Sequence, residues 1–375
     1  MHNNIKKKIL LINSSSEKIN PLNNIFEELQ KQNYCFDYLF SKNKLNLGYL
    51  YLGINLKNKI NFLFFLFLWP FFLLYYFFVL LYKKFKKNID IIICVNWNEK
   101  IIFTFLAKLL NIKTIWLELP DNDYENKPKF LILLFKIFSN WAKIIVFFQA
   151  SFDKLKKIKI KEDKIKLIFI GIKTYQIKKQ DNIFSKIANN KKEANLIKKY
   201  FTIGTVTDFH DIEYLESLLH AIKICTNVIP NLQLIVVGEN EEKRKKLNWL
   251  ATKLEINNLT WFVGYQKHLK KWLDSFSIFI STVKTPRLMN LKLILYAMST
   301  GLPIINTKKD IYFNNLEVEE FGLFIDFDKE SLAQGIIKLY KNKELATKLG
   351  NNANKIANQY FNFEKMIEDI KKLLK

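Results

Sequence analysis

Three cations gather at the start of one apolar segment late in the chain: Lys284, Arg287 and Lys292, in Thr282-Val-Lys-Thr-Pro-Arg-Leu-Met-Asn-Leu-Lys292. The residues that follow, through Tyr296, read as a helix. A helix N-terminus offers unbonded N–H groups and a positive partial charge, and both attract phosphate. Cations beside it add charge-assisted hydrogen bonds. Arg287 is the strongest of the three, because the chain has only two arginines and this one stands just before the helix start. Any single lysine in so lysine-rich a chain is read by default as solvated. A second pattern is glycine associated with apolar runs, at Gly204, Gly238 and Gly264, where a missing side chain leaves room for a ligand. Glu239 and Ser281 stand at the ends of such runs. A third is a pair of carboxylates, Glu99 and Glu118, each just after a strand-like run, where a base or a hydroxyl-binding group would serve. The four histidines and three cysteines show no metal-ligand spacing and no Cys-x-x-Cys pair.

The elements that must position these groups alternate in type. In the second half, Phe201–Val206, Leu232–Gly238, Leu259–Gly264 and Ile278–Ser281 read as buried strands separated by helical patterns, with Ser299-Thr-Gly-Leu-Pro303 leading into another. In the first half, Lys8–Asn13, Ile89–Asn96, Lys113–Glu118, Ala142–Phe148 and Lys166–Ile170 read the same way. Short apolar strands alternating with longer helices indicate parallel sheets covered on both faces. Open sheets of that kind bind ligands at the carboxyl ends of their strands.

The wording of the second half goes further. Ile203-Gly-Thr-Val206, Pro230-Asn-Leu-Gln-Leu-Ile-Val-Val-Gly238, Trp261-Phe-Val-Gly264, Ala297-Met-Ser-Thr-Gly-Leu-Pro-Ile-Ile305 and Gly322-Leu-Phe-Ile-Asp326 follow in order. Together with the helix Glu330-Ser-Leu-Ala-Gln-Gly-Ile-Ile337, they resemble the donor-binding half of glycosyltransferase family 4, the glycosyl transferase group 1 proteins. The resemblance implies an α/β chain of GT-B fold: two Rossmann-like doubly wound domains facing a cleft, the second holding a nucleotide-sugar. The expected division is 1–177 for the acceptor-side domain, 178–199 for a polar linker and 200–357 for the donor domain. A last helix, 358–375, is expected to pack back on the first domain. The donor-side set is then Gly204, Gly238, Glu239, Gly264, Ser281, Lys284, Arg287, Lys292 and Tyr296, with Glu118 and Glu99 as catalytic candidates. The implied reaction is a retaining, metal-independent transfer in which the nucleotide-sugar is co-substrate and no cofactor is needed.

Four positions depart from the family pattern. Tyr296 stands where the second of two glutamates belongs, and Leu288, or Lys284 with a gap, stands at the first. Asp208 occupies an arginine position after the first strand of the donor half, with His210 or Asp211 nearest the expected lysine. Asn13-Ser-Ser-Ser16 lacks the usual glycines, and Leu119 follows Glu118 where a histidine is expected. A tyrosine hydroxyl hydrogen-bonds but carries no charge at neutral pH. The chain therefore has two functional readings, a transferase and a non-catalytic relative that binds sugar nucleotide, glycan or a partner enzyme; a passive basic surface protein is a third.

Composition narrows the partners. Lys plus Arg number 59 against 35 acidic residues, a formal net charge of +24. That excess favours anionic membrane surfaces or phosphorylated substrates, while the lack of an RNA-binding signature argues against nucleic acid. Phe62 to Tyr82 is a run of 21 residues without a charge, followed by Lys83-Lys-Phe-Lys-Lys87. A helix of that length reaches roughly 30 Å, enough to span a bilayer. Yet the strands at Lys8 and Ile89 are expected in one sheet, and a single crossing between them would put them on opposite sides. Pro70 also weakens a straight spanning helix. The preferred reading is monotopic, lying in the inner leaflet with lysines on lipid phosphates; a wholly buried helix is the alternative. With no signal-peptide pattern at Met1–Lys8, the protein is expected in the cytoplasm, attached to the inner membrane face.

Overall fold

The computed structural model of the chain describes residues 7–13, 22–39, 59–119, 127–173, 200–282, 288–307, 313 and 320–375. These divide into two compact units, residues 1–169 with 365–375, and residues 170–364. The second unit thus takes in residues 170–173 and 358–364, and the linker expected at 178–199 lies outside the described residues.

In the first unit the order is β1 (Lys7–Ile12), α1 (Asn23–Lys31), β2 (Tyr34–Tyr38), α2 (Lys59–Lys87), β3 (Ile91–Cys94) and α3 (Trp97–Leu109). Then come β4 (Lys113–Glu118), α4 (Lys129–Ser139), β5 (Ala142–Val146), α5 (Gln149–Lys157) and β6 (Ile165–Leu167). The strands form one sheet in the order β2-β1-β3-β4-β5-β6, all pairs parallel. Its strands are apolar on both faces because both are covered, as parallel sheets require. One face carries α2 to α5, with Leu10, Ile92, Trp116 and Ile144 packed against Tyr76, Phe103 and Phe135. The other carries α1 and the C-terminal helix, whose Ile370 and Leu374 lie among Ile25, Leu29, Ile93 and Ile115. That helix, α12 (Phe363–Leu374), is tied down by Lys7 Nζ donating to the carbonyls of Leu374 (3.0 Å) and Lys375 (2.8 Å).

The second unit runs β7 (Phe201–Val206), α6 (Ile212–Cys225), β8 (Leu232–Val237), α7 (Glu241–Lys253), β9 (Thr260–Phe262), α8 (Leu269–Leu273) and β10 (Ile278–Ile280). It continues with α9 (Leu288–Ser299), β11 (Ile304–Thr307), β12 (Gly322–Ile325), α10 (Lys329–Lys341) and α11 (Lys343–Tyr360). Its sheet is again parallel throughout, in the order β12-β11-β10-β7-β8-β9. In both sheets the strand order reverses beside the first strand of the unit, between β1 and β3 and between β7 and β10. These are the switch points at which doubly wound sheets open a crevice.

Sequence reading missed β2, an edge strand with no buried residue. The uncharged run is helical but not wholly buried. Tyr76 and Leu80 are buried against the sheet, whereas Phe71, Leu74, Phe78, Tyr82 and Phe85 are exposed. The side chains of residues 59–69 lie outside the described set. Among the described residues no helix is long and apolar enough to cross a membrane.

Candidate functional site

At the switch point of the first unit, every polar group sequence reading singled out has a structural partner. Asn13 follows β1 and Asn96 follows β3, and the Asn96 amide donates to Asn13 Oδ1 at 3.0 Å. Asn96 also opens α3. Glu99, in the first turn, reaches back to accept from the Asn96 N–H at 2.9 Å and from its side-chain amide at 2.9 Å, and also from the Val95 N–H at 3.2 Å. This reciprocal arrangement satisfies helix N–H groups that would otherwise lack partners. Glu118 ends β4 and takes a 2.5 Å bond from Lys100 Nζ, with both side chains essentially inaccessible to solvent. Beside them Trp116 Nε1 donates to Thr104 Oγ1 at 2.7 Å. Glu99 and Glu118, expected to face an acceptor hydroxyl, are thus corrected to buried structural groups.

The switch point of the second unit is built differently. Thr205 on β7 and Thr282 after β10 are buried with their hydroxyls 3.3 Å apart. Ser281, between β10 and Thr282, is 2% exposed, and its N–H donates to the Ile305 carbonyl at 3.0 Å. Its hydroxyl has no hydrogen-bond partner among the described residues. Leaving a buried hydroxyl unpaired costs about 1–3 kcal/mol, so such groups call for explanation.

The turn after β7 is pinned. Thr207 Oγ1 accepts from the Phe209 N–H at 2.9 Å, and Asp208 Oδ1 accepts from the His210 N–H at 3.0 Å. Phe209 has φ of 58°, drops its ring into the core, and its carbonyl accepts from Lys243 Nζ at 2.7 Å. Asp208 and His210 remain exposed.

The glycines separate into two kinds. Gly204 lies inside β7, paired with Phe279 and Ile235, and a Cβ there would collide with the Phe276 ring. The expectation that it leaves room for a ligand is corrected: the space is filled by Phe276. Gly238 and Gly264 do end their strand segments. Gly238 has φ of 144°, a Cβ on it would run into the Thr207 carbonyl, and its N–H donates to the Gly264 carbonyl at 2.9 Å. Gly264 has φ of 70° and open space where a Cβ would point. Glu239 is exposed just beyond Gly238.

On α9, Lys292 is 8% exposed, and burial pushes its ammonium down to about 8. Tyr296 is half-buried one turn later, and its carbonyl accepts from Ser299 Oγ at 2.8 Å. Lys284 and Arg287 lie outside the described residues. Sequence reading missed Lys100, Asn13 with Asn96, and the Thr205–Thr282 pair. Of these, only the Asn96-x-x-Glu99 spacing carried a readable signal, that of a capped helix start.

Residues 186–356 match the family model described as glycosyl transferases group 1. An uncharacterized glycosyltransferase of Methanocaldococcus jannaschii is 27% identical over 251 residues, which span 64% of this chain and 61% of that relative. Among solved structures, Anabaena Alr3699/HepE in complex with UDP aligns with a TM-score of 0.71 at 16% identity, covering 98% of this chain and 99% of its own. A sucrose-phosphate synthase of Thermosynechococcus elongatus aligns with a TM-score of 0.68 at 17% identity, covering 98% of each chain. The architecture is that of the GT-B glycosyltransferases.

Proposed function

We propose that this chain, a GT-B protein with a glycosyl transferases group 1 domain over residues 186–356, transfers a sugar from a nucleotide-sugar to a lipid-linked or glycan hydroxyl. The observation that carries this reading is the second switch point. A buried Ser281 hydroxyl, without a hydrogen-bond partner among the described residues, stands there beside a buried threonine pair, in the unit that matches the family. A ligand hydroxyl or phosphate oxygen supplies the missing hydrogen bond. UDP donors are the first to test, because the Anabaena relative was solved with UDP and with UDP-glucose.

In this reading the anomeric carbon–oxygen bond to the diphosphate breaks, the acceptor oxygen bonds to the same carbon with retention, and the acceptor's proton passes to the departing diphosphate oxygen. The departing diphosphate gathers negative charge, and the start of α9 answers it with the positive end of the helix, Lys292 and the preceding Arg287 and Lys284. Lys292 remains largely protonated at neutral pH with its ammonium near 8, and burial makes its charge more effective than that of an exposed lysine. No metal is required to neutralise the leaving group, and no cofactor takes part. Tyr296 offers a neutral hydrogen bond where a carboxylate is expected. The exposed side of α2 and the lysines of its last turns hold the protein at the cytoplasmic face of a membrane.

One observation favours a second reading, a binding protein without turnover: Glu99 and Glu118 are both buried in structural bonds. Calorimetry with UDP, followed by an assay of UDP-sugar turnover with and without lipid acceptors, separates the readings. Binding with turnover supports the transferase. Binding without turnover supports the second reading. Absence of binding to any common nucleotide-sugar at millimolar concentration overturns both.

A further inference from the structure

We infer that α4, together with the C-terminal end of α3, forms a second membrane-contacting ridge beside α2, so that a whole helical layer seats on anionic lipid. This rests on the membrane attachment proposed for α2 and extends it to residues that reading did not use. α4 is apolar on two sides. Leu131, Phe135 and Phe138 face the core, with the Phe135 ring stacked 4.1 Å from Trp97. Phe130, Leu133 and Ile137 recur at helical spacing on the other side and are exposed, Leu133 by 57%, and Trp141 continues the stripe just past the helix end. Helices apolar all round are covered on every side in a stable setting, and a contiguous exposed apolar patch of this kind marks a docking face.

The three helices form one layer. α3 packs against both α2 and α4. All three run antiparallel to the strands they precede, so their C-terminal ends share one edge of the sheet. There Lys84 Nζ of α2 donates to the Leu110 carbonyl, just past α3, at 2.6 Å. Leu109, 60% exposed, sits at that edge, as does Trp141 after α4.

Charge selects the occupant. The sequences of α2, α3 and α4 hold one acid between them, Glu99, which is buried in its cap. Lys86, Lys108 and Lys129 are exposed on the same helices, and Lys86 lies 5.3 Å over the Tyr82 ring. A second copy of the chain would set lysine against lysine, which is repulsive. An anionic bilayer accepts both halves of the pattern: acyl chains take the leucines and isoleucines, headgroup phosphates take the lysines, and Trp and Tyr sit at the boundary.

The test is sedimentation of the full-length protein with vesicles of equal phosphatidylglycerol and phosphatidylcholine, and with phosphatidylcholine alone. The parent is expected to bind the anionic vesicles and to bind the neutral ones much more weakly. Leu133→Gln with Ile137→Gln should lower the partition coefficient about 10-fold, as should Phe78→Gln with Phe85→Gln on α2, at roughly 1.4 kcal/mol per decade. Lys129→Ser with Lys136→Ser, which keeps every apolar side chain of the ridge, should lower anionic binding several-fold and leave neutral binding largely alone. Trp249→Gln, exposed on the second unit, should change nothing. If the α2 variant loses binding and both α4 variants match the parent, the α4 ridge is wrong while attachment through α2 stands. If the parent binds neither vesicle, both readings fall. A dimer that the α4 variants dissociate, without any vesicle effect, would replace lipid with a second copy as the occupant.

Discussion

The two switch points of this molecule have the same backbone plan and opposite polar economies. At β1/β3, Asn13, Asn96, Glu99, Lys100 and Glu118 are bonded to one another or to the start of α3. At β7/β10, two threonine hydroxyls pair, Ser281 is left without a partner among the described residues, and Lys292 is buried on the following helix. A strand end in a doubly wound sheet exposes the same backbone in both places. What separates a structural site from a binding site is whether the nearby polar groups already satisfy one another. The first unit's carboxylates have their partners; the second unit's serine hydroxyl has none among the described residues.

Glu118→Ala should give the largest effect that distinguishes the two regions, because it leaves the Lys100 ammonium buried and uncompensated. We expect a loss of about 3–5 kcal/mol in urea unfolding. The double change Lys100→Met with Glu118→Leu should recover most of that loss. If Glu118→Ala unfolds at the parent's urea midpoint, the ion pair is not what closes the first site.

The second expectation concerns Lys292. Its ammonium is near 8 in the folded chain against an ordinary 10.5, so between those values the unfolded chain binds more protons. Stability therefore rises as pH increases from about 8 toward 10.5, by on the order of 1–3 kcal/mol. Lys292→Met should abolish that rise in thermal melts taken across the window. The parent's UDP affinity should fall above pH 8, and the same variant should lose that fall. A parent whose melting is no more pH-dependent than that of Lys292→Met would remove the buried charge from the account.

Smaller still is Glu99→Ala. It removes the reciprocal cap of α3 at an expected cost of about 1–2 kcal/mol, with no change in UDP affinity. An affinity change as large as the stability change would reopen a ligand role for the first switch point.

How much of this could be read beforehand follows from how far apart the deciding partners lie. The strands were legible because their runs of Ile, Leu and Val are continuous and short. The pockets between them were not. Glu118 reads identically whether it meets solvent or an ammonium, and Lys100 lies 18 residues away in an apolar helix. Gly204 reads as space for a ligand until Phe276, from another part of the chain, is seen to fill it. Phe209, in the turn after β7, adopts a positive φ and is buried in the core, which its own sequence does not announce. The C-terminal helix, by contrast, was placed against the first unit's residues only by family resemblance, and its attachment through Lys7 has no signal in its own sequence.

The most direct test of the central claim is a calorimetric titration of UDP into the parent, Ser281→Ala and Glu118→Gln at pH 7. If the second switch point holds the nucleotide-sugar, the parent binds UDP. Ser281→Ala should then weaken binding by the worth of one hydrogen bond, about 0.5–1.5 kcal/mol or roughly 2–13-fold. Folded Glu118→Gln should bind as the parent does. Equal affinity for Ser281→Ala and parent, with Glu118→Gln the weaker binder, would place the ligand at the first switch point and contradict the account.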